Sequence, residues 1–195
     1  MLVFRQILSE EELRQVQQLR YQVYCIEKKF LSADNYPDGI ETDEYDQHSI
    51  HLVAISENNG KIAGTLRLIL NSEHRFPVEK HCNLYQPIED RKHSVEFSRL
   101  IVEKEYRKDF AISIMMGLSR EAYRYLLKED IEHCYAVLEV QFLRMLKRLG
   151  IQFRPIGSKE WCFNTENQSV YASVSECEKQ LKENNAKFYA YLHEQ

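Results

Sequence analysis

The stretch VEFSRLIV, residues 95–102, decides the fold class of this chain. Its apolar residues are typical of a buried strand, yet Glu96, Ser98 and Arg99 interrupt them. A buried carboxylate or guanidinium is costly unless it is paired. In a regular strand Glu96 and Ser98 share one face while Arg99 points to the other. If Glu96 and Arg99 serve one site, the strand must therefore contain a bulge.

The rest of the chain predicts helices and further strands around this strand. We expect strands at 2–8, 51–56 and 62–70, within 131–140, and in 152–156 and 169–175, with 51–56 and 62–70 forming a hairpin. We expect an amphipathic helix from Ser9 to Phe30, a helix at 112–128, a short helix ended by Gly150 and a helical C-terminus. Residues 71–93 are expected to be irregular. This order favours one α/β (α+β) domain over residues 1–195, with a mixed sheet flanked by helices.

Composition limits the classes of partner and compartment. The net charge of −4 gives no strong attraction to nucleic acid or to an anionic membrane. The five cysteines are scattered, odd in number and without a CxxC, which argues against a disulfide framework or a zinc ribbon. No signal peptide and no 18-residue apolar run is visible. We therefore expect a cytoplasmic protein with no transmembrane segment and no nucleic-acid partner.

The polar segment 31–50 carries the acidic run GIETDEYD, and loops of this length are usually functional or disordered. Residues 34–45 of this segment nearly fit a calcium loop, with Asp34, Asp38 and Gly39 at its first, fifth and sixth positions. However, Tyr36 replaces the third ligand and Tyr45 replaces the bidentate glutamate. His48 and His51 are only a weak metal signal. We therefore predict no metal site.

Three arginines occupy positions where apolar residues are expected: Arg20 on the first helix, Arg67 in TLRLIL and Arg99 in VEFSRLIV. Each alone is compatible with a structural arginine that has a local partner. Together with the carboxylates they indicate a polar cleft, although the acidic run is also compatible with a solvated surface. The available carboxylates are Glu41, Asp43, Asp46 and Glu96.

Four blocks carry a family resemblance: LRYQVYCIEKKF (19–30), YPDGIETDEYDQHSIH (36–51), GTLRLIL (64–70) and VEFSRL (95–100). In this order the chain resembles, from about residue 10 to about 175, the acyl-homoserine-lactone (autoinducer) synthases and the long-chain N-acyl amino acid synthases. It looks closest to acyltransferases associated with PEP-CTERM/exosortase systems. The resemblance implies a GCN5-related N-acetyltransferase (GNAT) fold. The acyl donor's pantetheine arm would then lie between the fourth and fifth strands, at 94–102 and 132–138.

The resemblance also implies roles for individual residues. The catalytic set is Glu96, Ser98 and Arg99, with Glu96 as general base and a bulge in this strand turning backbone N–H groups toward the thioester oxygen. The substrate-binding set is Arg20, Tyr24, Phe30, Asp43, Asp46 and Arg67. Arg67 and Arg99 either hold an acceptor carboxylate or lock the acidic loop over the site. We expect Asp43 and Asp46 to form one ion-pair network with Arg20 and Arg99, which would fix the 31–50 segment near the cleft. The synthases carry phenylalanine at Tyr24 and tryptophan near Phe30, so the departure favours an acceptor other than the homoserine-lactone precursor.

A second departure concerns the donor. CoA-binding relatives carry Arg/Gln-x-x-Gly-x-Gly/Ala before the third helix, where bare N–H groups cradle a pyrophosphate. Here the run is YRKDFAIS (106–113), without glycine, which favours an acyl carrier protein over free CoA. The candidate donor- or carrier-binding residues, each also compatible with a solvated surface charge, are Arg107, Lys108, Arg144, Lys147 and Arg148.

The resemblance therefore implies an N-acyltransferase that moves a fatty acyl group from acyl-ACP or acyl-CoA to the amine of a small amino-acid-like acceptor. It needs no tightly bound cofactor. Two alternatives remain open. One is an acetyl-CoA-dependent enzyme acting on a polyamine, antibiotic or protein amine; the other is a non-catalytic module of the same fold that binds an acyl carrier or another partner.

Overall fold

The computed structural model describes residues 1–194 and contains a seven-stranded mixed sheet flanked by helices. The strand order is β1-β2-β3-β4-β5-β7-β6, and β4 and β5 are parallel. The strands are β1 Leu2–Gln6, β2 Ser49–Ser56, β3 Ile62–Leu70, β4 Ser94–Val102, β5 His133–Glu139, β6 Arg154–Cys162 and β7 Thr165–Ser173. The helices are α1 Glu10–Tyr21, α2 Pro77–His81, α3 Arg107–Lys128, α4 Val140–Arg148, α5 Val174–Asn184 and α6 Ala186–His193. The α/β class is confirmed.

The described chain divides into two compact units, and the single-domain assignment stays a prediction. The first unit consists of Met1–Leu68 and Arg99–Ala122; the second consists of Ile69–Ser98 and the residues from Tyr123 onward. In the first unit Val16 of α1 packs with Val53 of β2 and Ile62 of β3. Helix α3 approaches β1 at Gly117, where a Cβ would lie 2.3 Å from the Phe4 ring. Any larger residue at this position would push α3 away from the sheet.

The first helix differs from the prediction at its C-terminal end. The α-helix ends at Tyr21, and residues Gln22–Glu27 continue as a π-helix. In a π-turn the hydrogen bonds join residues five apart instead of four, so the three- and four-residue spacing no longer marks the buried face. Ile26 follows the buried Val23 by three residues and would share its face in an α-helix, yet it is 44% exposed. The π-helix instead bears Tyr24, a candidate site residue.

In the second unit the parallel register of β4 and β5 runs from Ser94↔His133 to Phe97↔Ala136, while both strands continue beyond it. Strand β5 also pairs with β7, which forms an antiparallel hairpin with β6. The predicted late strands are therefore correct in place but too short. Residues 157–168 also belong to the hairpin, since β6 continues to Cys162 and β7 begins at Thr165. The two residues between these strands, Phe163 and Asn164, both have positive φ and form the tight turn.

Two helices differ from expectation. Segment 71–93 contains α2, which begins at Pro77, a residue suited to a first helical turn. Helix α3 begins at Arg107 rather than near 112, directly after a 3₁₀ turn that starts with the Glu103 side chain accepting from the Glu105 backbone N–H. Among residues 1–194, every helix is too short or too polar to cross a lipid bilayer. The same residues contain no group of three His, Cys, Asp or Glu side chains arranged to hold a metal ion.

Candidate active site

Arg20 lies on the last turn of α1 and has no solvent exposure. Its Nε donates to a Glu41 carboxylate oxygen, and its Nη1 donates to Asp46 Oδ1 at 2.6 Å. Arg20 is one helical turn from Val16, so the amphipathic pattern places its guanidinium inside the first unit. A guanidinium in that environment is stable only when paired, and the acidic loop supplies both of its partners.

Arg67 lies in the middle of β3 and is 1% exposed. It holds both carboxylate oxygens of Asp43, from Nη1 at 2.6 Å and from Nη2 at 2.9 Å. Its Nη1 also donates to Asp46 Oδ1 at 2.6 Å. The planar fork of arginine suits this two-point contact, which fixes the orientation of the carboxylate as well as its position.

Arg99 has a left-handed backbone, with φ of +54°, in the middle of β4. Only a few per cent of non-glycine residues adopt such a φ, so this is the irregularity that VEFSRLIV was expected to contain. Its guanidinium donates to Glu41 at 2.8 and 3.2 Å and to Asp43 Oδ2 at 3.1 Å. The break in the strand's alternation is therefore located at the residue that reaches the acidic loop.

These contacts form one ion-pair cluster, which comprises Arg20, Arg67, Arg99, Glu41, Asp43 and Asp46. It lies within the first unit, and its three cations balance its three anions. The network expected to join the arginines to the 31–50 loop is confirmed. Of the two roles considered for Arg67 and Arg99, the geometry favours locking the loop. An acceptor carboxylate would have to displace one of the loop's own carboxylates.

The carboxyl groups of the cluster are held in their ionised form. Burial alone would raise the pKa of Asp43, but hydrogen bonds and charge from Arg67, with the charge of Arg99, hold it at about 2. Burial opposes ionisation of Glu41 and Asp46 as well, and there too the neighbouring arginines lower the pKa. The cluster is therefore ionic throughout the neutral pH range.

Within the loop, Asp43 and Asp46 also organise the backbone. Asp43 Oδ1 accepts from the Tyr45 backbone N–H at 3.0 Å, and Asp46 Oδ2 accepts from the Asp43 N–H at 3.3 Å. The loop is tied to α1 by the Glu41 N–H, which donates to the Gln17 carbonyl at 3.1 Å. A segment with only two short 3₁₀ turns is thus fixed by side-chain bonds.

Tyr24 and Phe30 form an aromatic wall beside the cluster. Their ring centroids are 6.0 Å apart with an interplanar angle of 23°. The Arg99 guanidinium lies 5.3 Å from the Tyr24 ring centre, and Lys28 Nζ lies 5.0 Å from that of Phe30. The two predicted aromatic residues are therefore brought together, and cations face both rings.

Sequence reasoning missed the roles of Glu41 and His51. Glu41 was counted among the available carboxylates, but its fully buried position between Arg20 and Arg99 makes it a central member of the cluster. The ring of His51 lies 3.3 Å from the Asp46 carbonyl oxygen, and burial lowers the pKa of this imidazole. The charges in the sequence do point to Glu41, because Asp43 and Asp46 neutralise only two of the three arginines and a third carboxylate is needed. The sequence contains no such signal for His51.

Glu96 belongs to the second unit and is 2% exposed. Its Oε2 accepts from the Val78 backbone N–H at 2.9 Å, near the start of α2. This contact gives Glu96 a structural role that the sequence did not predict, because α2 itself was not predicted. Ser98 is half-buried on β4, immediately before the left-handed residue. The catalytic assignments of both residues stay predictions.

The basic residues predicted for the donor differ in their contacts and solvent exposure. Arg107 is engaged, because it donates to the Val102 carbonyl at 2.8 Å and to Glu27 at 2.7 Å. Lys108 is exposed on the first turn of α3. The remaining three, on α4, are all exposed: Arg144, Lys147 and Arg148.

Comparison with known proteins agrees with this geometry. Residues 19–117, just over half of the chain, match the family described as acetyltransferase (GNAT) domain. The chain belongs to this family, and the reaction class that fold and family define is acyl transfer.

The individual similarities are to acyl-homoserine-lactone synthases and to an N-acyl amino acid synthase. An acyl-homoserine-lactone synthase of Aliivibrio fischeri (strain ATCC 700601 / ES114) is 27% identical over 173 residues, covering 86% of this chain and 88% of that protein. The structure of BjaI, a CoA-dependent acyl-homoserine lactone synthase with SAM and isopentyl-CoA, has a TM-score of 0.77 at 20% identity, and the match covers 99% of this chain and 88% of BjaI. The structure of FeeM, an N-acyl amino acid synthase from uncultured soil microbes, has a TM-score of 0.65 at 13% identity, and the match covers 94% of this chain and 96% of FeeM. The resemblance to PEP-CTERM/exosortase-associated acyltransferases stays a prediction.

Proposed function

We propose that this chain transfers a fatty acyl group from a thioester to the amine of an amino acid or a similar small acceptor. The observation that carries the proposal is the ion-pair cluster, which holds the 31–50 loop beside the Tyr24–Phe30 wall. The resemblance to AHL synthases and N-acyl amino acid synthases assigns these same residues to the acceptor. The similarity to the A. fischeri synthase and to the FeeM fold supports a small acceptor that bears an amine.

The acceptor is expected to bind through its apolar part. All three arginines of the cluster are paired with carboxylates of the loop. The stacked Tyr24 and Phe30 rings offer a flat surface for an aromatic or aliphatic side chain. The acceptor is therefore an amino acid selected by its side chain rather than by capture of its carboxylate on a free arginine.

The chemistry requires a neutral amine and a polarised thioester. In our proposal Glu96 takes the amine proton, directly or through a water, as the nitrogen attacks the carbonyl carbon. Backbone N–H groups near the left-handed Arg99 stabilise the oxyanion. The carbon–sulfur bond then breaks, and the thiolate leaves and takes up a proton. An amide and a free thiol are the products.

The donor in our proposal is an acyl carrier protein, which has no pyrophosphate-nucleotide to hold. The glycine-free YRKDFAIS run supports it, and so do the exposed basic residues of α4. The alternative donor is acyl-CoA, which is favoured by the fold likeness to BjaI, a CoA-dependent enzyme.

The test is to offer the protein saturated acyl chains of several lengths on carrier protein and on CoA, together with a mixture of amino acids. N-acyl products are read by mass spectrometry, with Glu89→Gln, a surface carboxylate, as the matched control for Glu96→Gln. We expect N-acyl amino acids from the unaltered protein and the control. Turnover of acetyl-CoA with polyamines alone would move the assignment to the acetyltransferase alternative. No product from any thioester would move it to the binding module.

A charge-reversal variant decides the donor. Arg144→Glu/Lys147→Glu/Arg148→Glu should slow the reaction with acyl carrier protein, mainly through the association rate, and added salt should do the same. The reaction with acyl-CoA serves as the control and should respond little to this change. Equal efficiency with CoA, or a carrier reaction indifferent to salt and charge reversal, would assign CoA as the donor.

A further inference from the structure

A groove in the second unit lies along one face of α4. Four residues of α4 at three- and four-residue spacing line it: Val140, Leu143, Arg144 and Lys147. The other lining residues are Ile151, Gln152, Phe153 and Pro155, which follow α4 in the chain, and Val170 of β7. Gly150, with φ of +90°, lies in the turn between α4 and these residues.

The groove combines an apolar wall with uncompensated positive charge. Its volume is about 230 Å³. An apolar cavity of about 150 Å³ is large enough to bind benzene, so this groove has room for a ligand with somewhat more than six carbon atoms. Arg144 and Lys147 line it together with six apolar residues. Neither cation forms an ion pair with any of residues 1–194. A hydrocarbon alone would leave these charges unused, and a small anion alone would leave the apolar wall uncovered.

We infer that this groove binds an anionic amphiphile, with a medium-length alkyl chain in the apolar channel and a terminal carboxylate on Arg144 and Lys147. The volume suits an alkyl chain of about eight carbons. Two cations three residues apart on one helix face suit the two oxygens of a carboxylate. The site goes beyond the proposed reaction and does not depend on it, although Arg144 and Lys147 also belong to the set that we propose for the carrier protein. Free fatty acids and N-acyl amino acids share the required chemistry.

The test is calorimetric titration of the full chain, below micelle-forming concentrations, with hexanoate, octanoate, 1-octanol and N-octanoylglycine. Each buried methylene should tighten binding about fourfold, so octanoate should bind about 15-fold more tightly than hexanoate. The uncharged 1-octanol should bind at least about tenfold more weakly than octanoate. If N-octanoylglycine binds more tightly than octanoate, the ligand of the groove is an N-acyl amino acid. If octanoate binds more tightly, the ligand is a free fatty acid.

Variants on one helix locate the site. Arg144→Gln and Lys147→Gln should each weaken octanoate binding by about tenfold, because each removes a charge-assisted contact. Arg148→Gln, an exposed cation of α4 outside the groove, is the matched control and should leave binding unchanged. Absence of binding, equal binding of hexanoate and octanoate, or equal effects of Arg144→Gln and Arg148→Gln would overturn the inference. Binding needs no turnover, so its failure is distinguishable from failure of the proposed reaction.

Discussion

Replacement of Asp46 by asparagine tests the ion-pair cluster most directly. Asp46 accepts from Arg20 and from Arg67, each at 2.6 Å, and its side chain is 7% exposed. Asparagine keeps the shape but removes the negative charge. The cluster would then carry one uncompensated positive charge among buried guanidinium groups.

The magnitude follows from this geometry. Breaking a buried ion pair by removing one partner costs about 3–5 kcal/mol of unfolding free energy. At a urea dependence of about 2 kcal/mol per molar, the unfolding midpoint should fall by about 2 M. This is a large fraction of the roughly 5–15 kcal/mol that stabilises a typical domain.

Urea unfolding followed by circular dichroism measures the effect. Asp34→Asn is the matched control, because Asp34 is an exposed aspartate of the same loop whose hydrogen bond to Ser32 is 3.4 Å long. Its effect should stay within about 0.5 kcal/mol. The double variant Asp46→Asn/Arg67→Gln should be less damaging than the sum of its parts, since it restores neutrality. A midpoint for Asp46→Asn equal to that of Asp34→Asn would refute the reasoning.

Three further outcomes are expected. The pKa of Asp43 is about 2 in the folded chain, against an ordinary value of 3.8, so its ionised carboxylate contributes about 2 kcal/mol to the free energy of unfolding. This contribution is complete above pH 4 and is lost as the pH falls toward 2. Urea unfolding over this pH range should show the decline, and a flat profile would contradict it. Arg99→Lys replaces a two-point contact with Glu41 by a single point charge, so it should cost about 1.5–3 kcal/mol in the same assay, whereas an unchanged midpoint would contradict the role. Glu96→Gln should lower turnover by about 10²–10⁴-fold with folding intact, and near-normal turnover in the folded variant would exclude the general-base role.

Hydrophobic spacing predicted most of the regular elements. Alternation and apolar runs located the central strands, and helical spacing located α1 and the burial of Arg20. Hydrophobic spacing did not predict the π-helix at Gln22–Glu27, because no particular amino-acid composition marks the change from α-helix to π-helix. The short helix α2 was missed because its stability depends on a tertiary partner, the Glu96 carboxylate.

The candidate site was only partly visible in the sequence. The arginines were conspicuous because each interrupts an apolar pattern, and their pairing with Asp43 and Asp46 was predicted. Which carboxylate pairs with which arginine depends on the loop's path, and that path is set by contacts such as Glu41 N–H to the Gln17 carbonyl. The position of His51 beside Asp46 likewise follows from the start of β2, not from any local pattern.

The cluster also has a consequence for how the chain reaches its native state. Glu41 pairs with Arg20, 21 residues away, and with Arg99, 58 residues away. Neither partner is local, so the entropy of closing these long chain segments must be overcome before Glu41 gains its ion pairs. We therefore expect the loop to become ordered late in folding, after α1, β3 and β4 have come together. Once ordered, its amide protons should exchange with solvent through the same opening as the strands, and not by separate fraying.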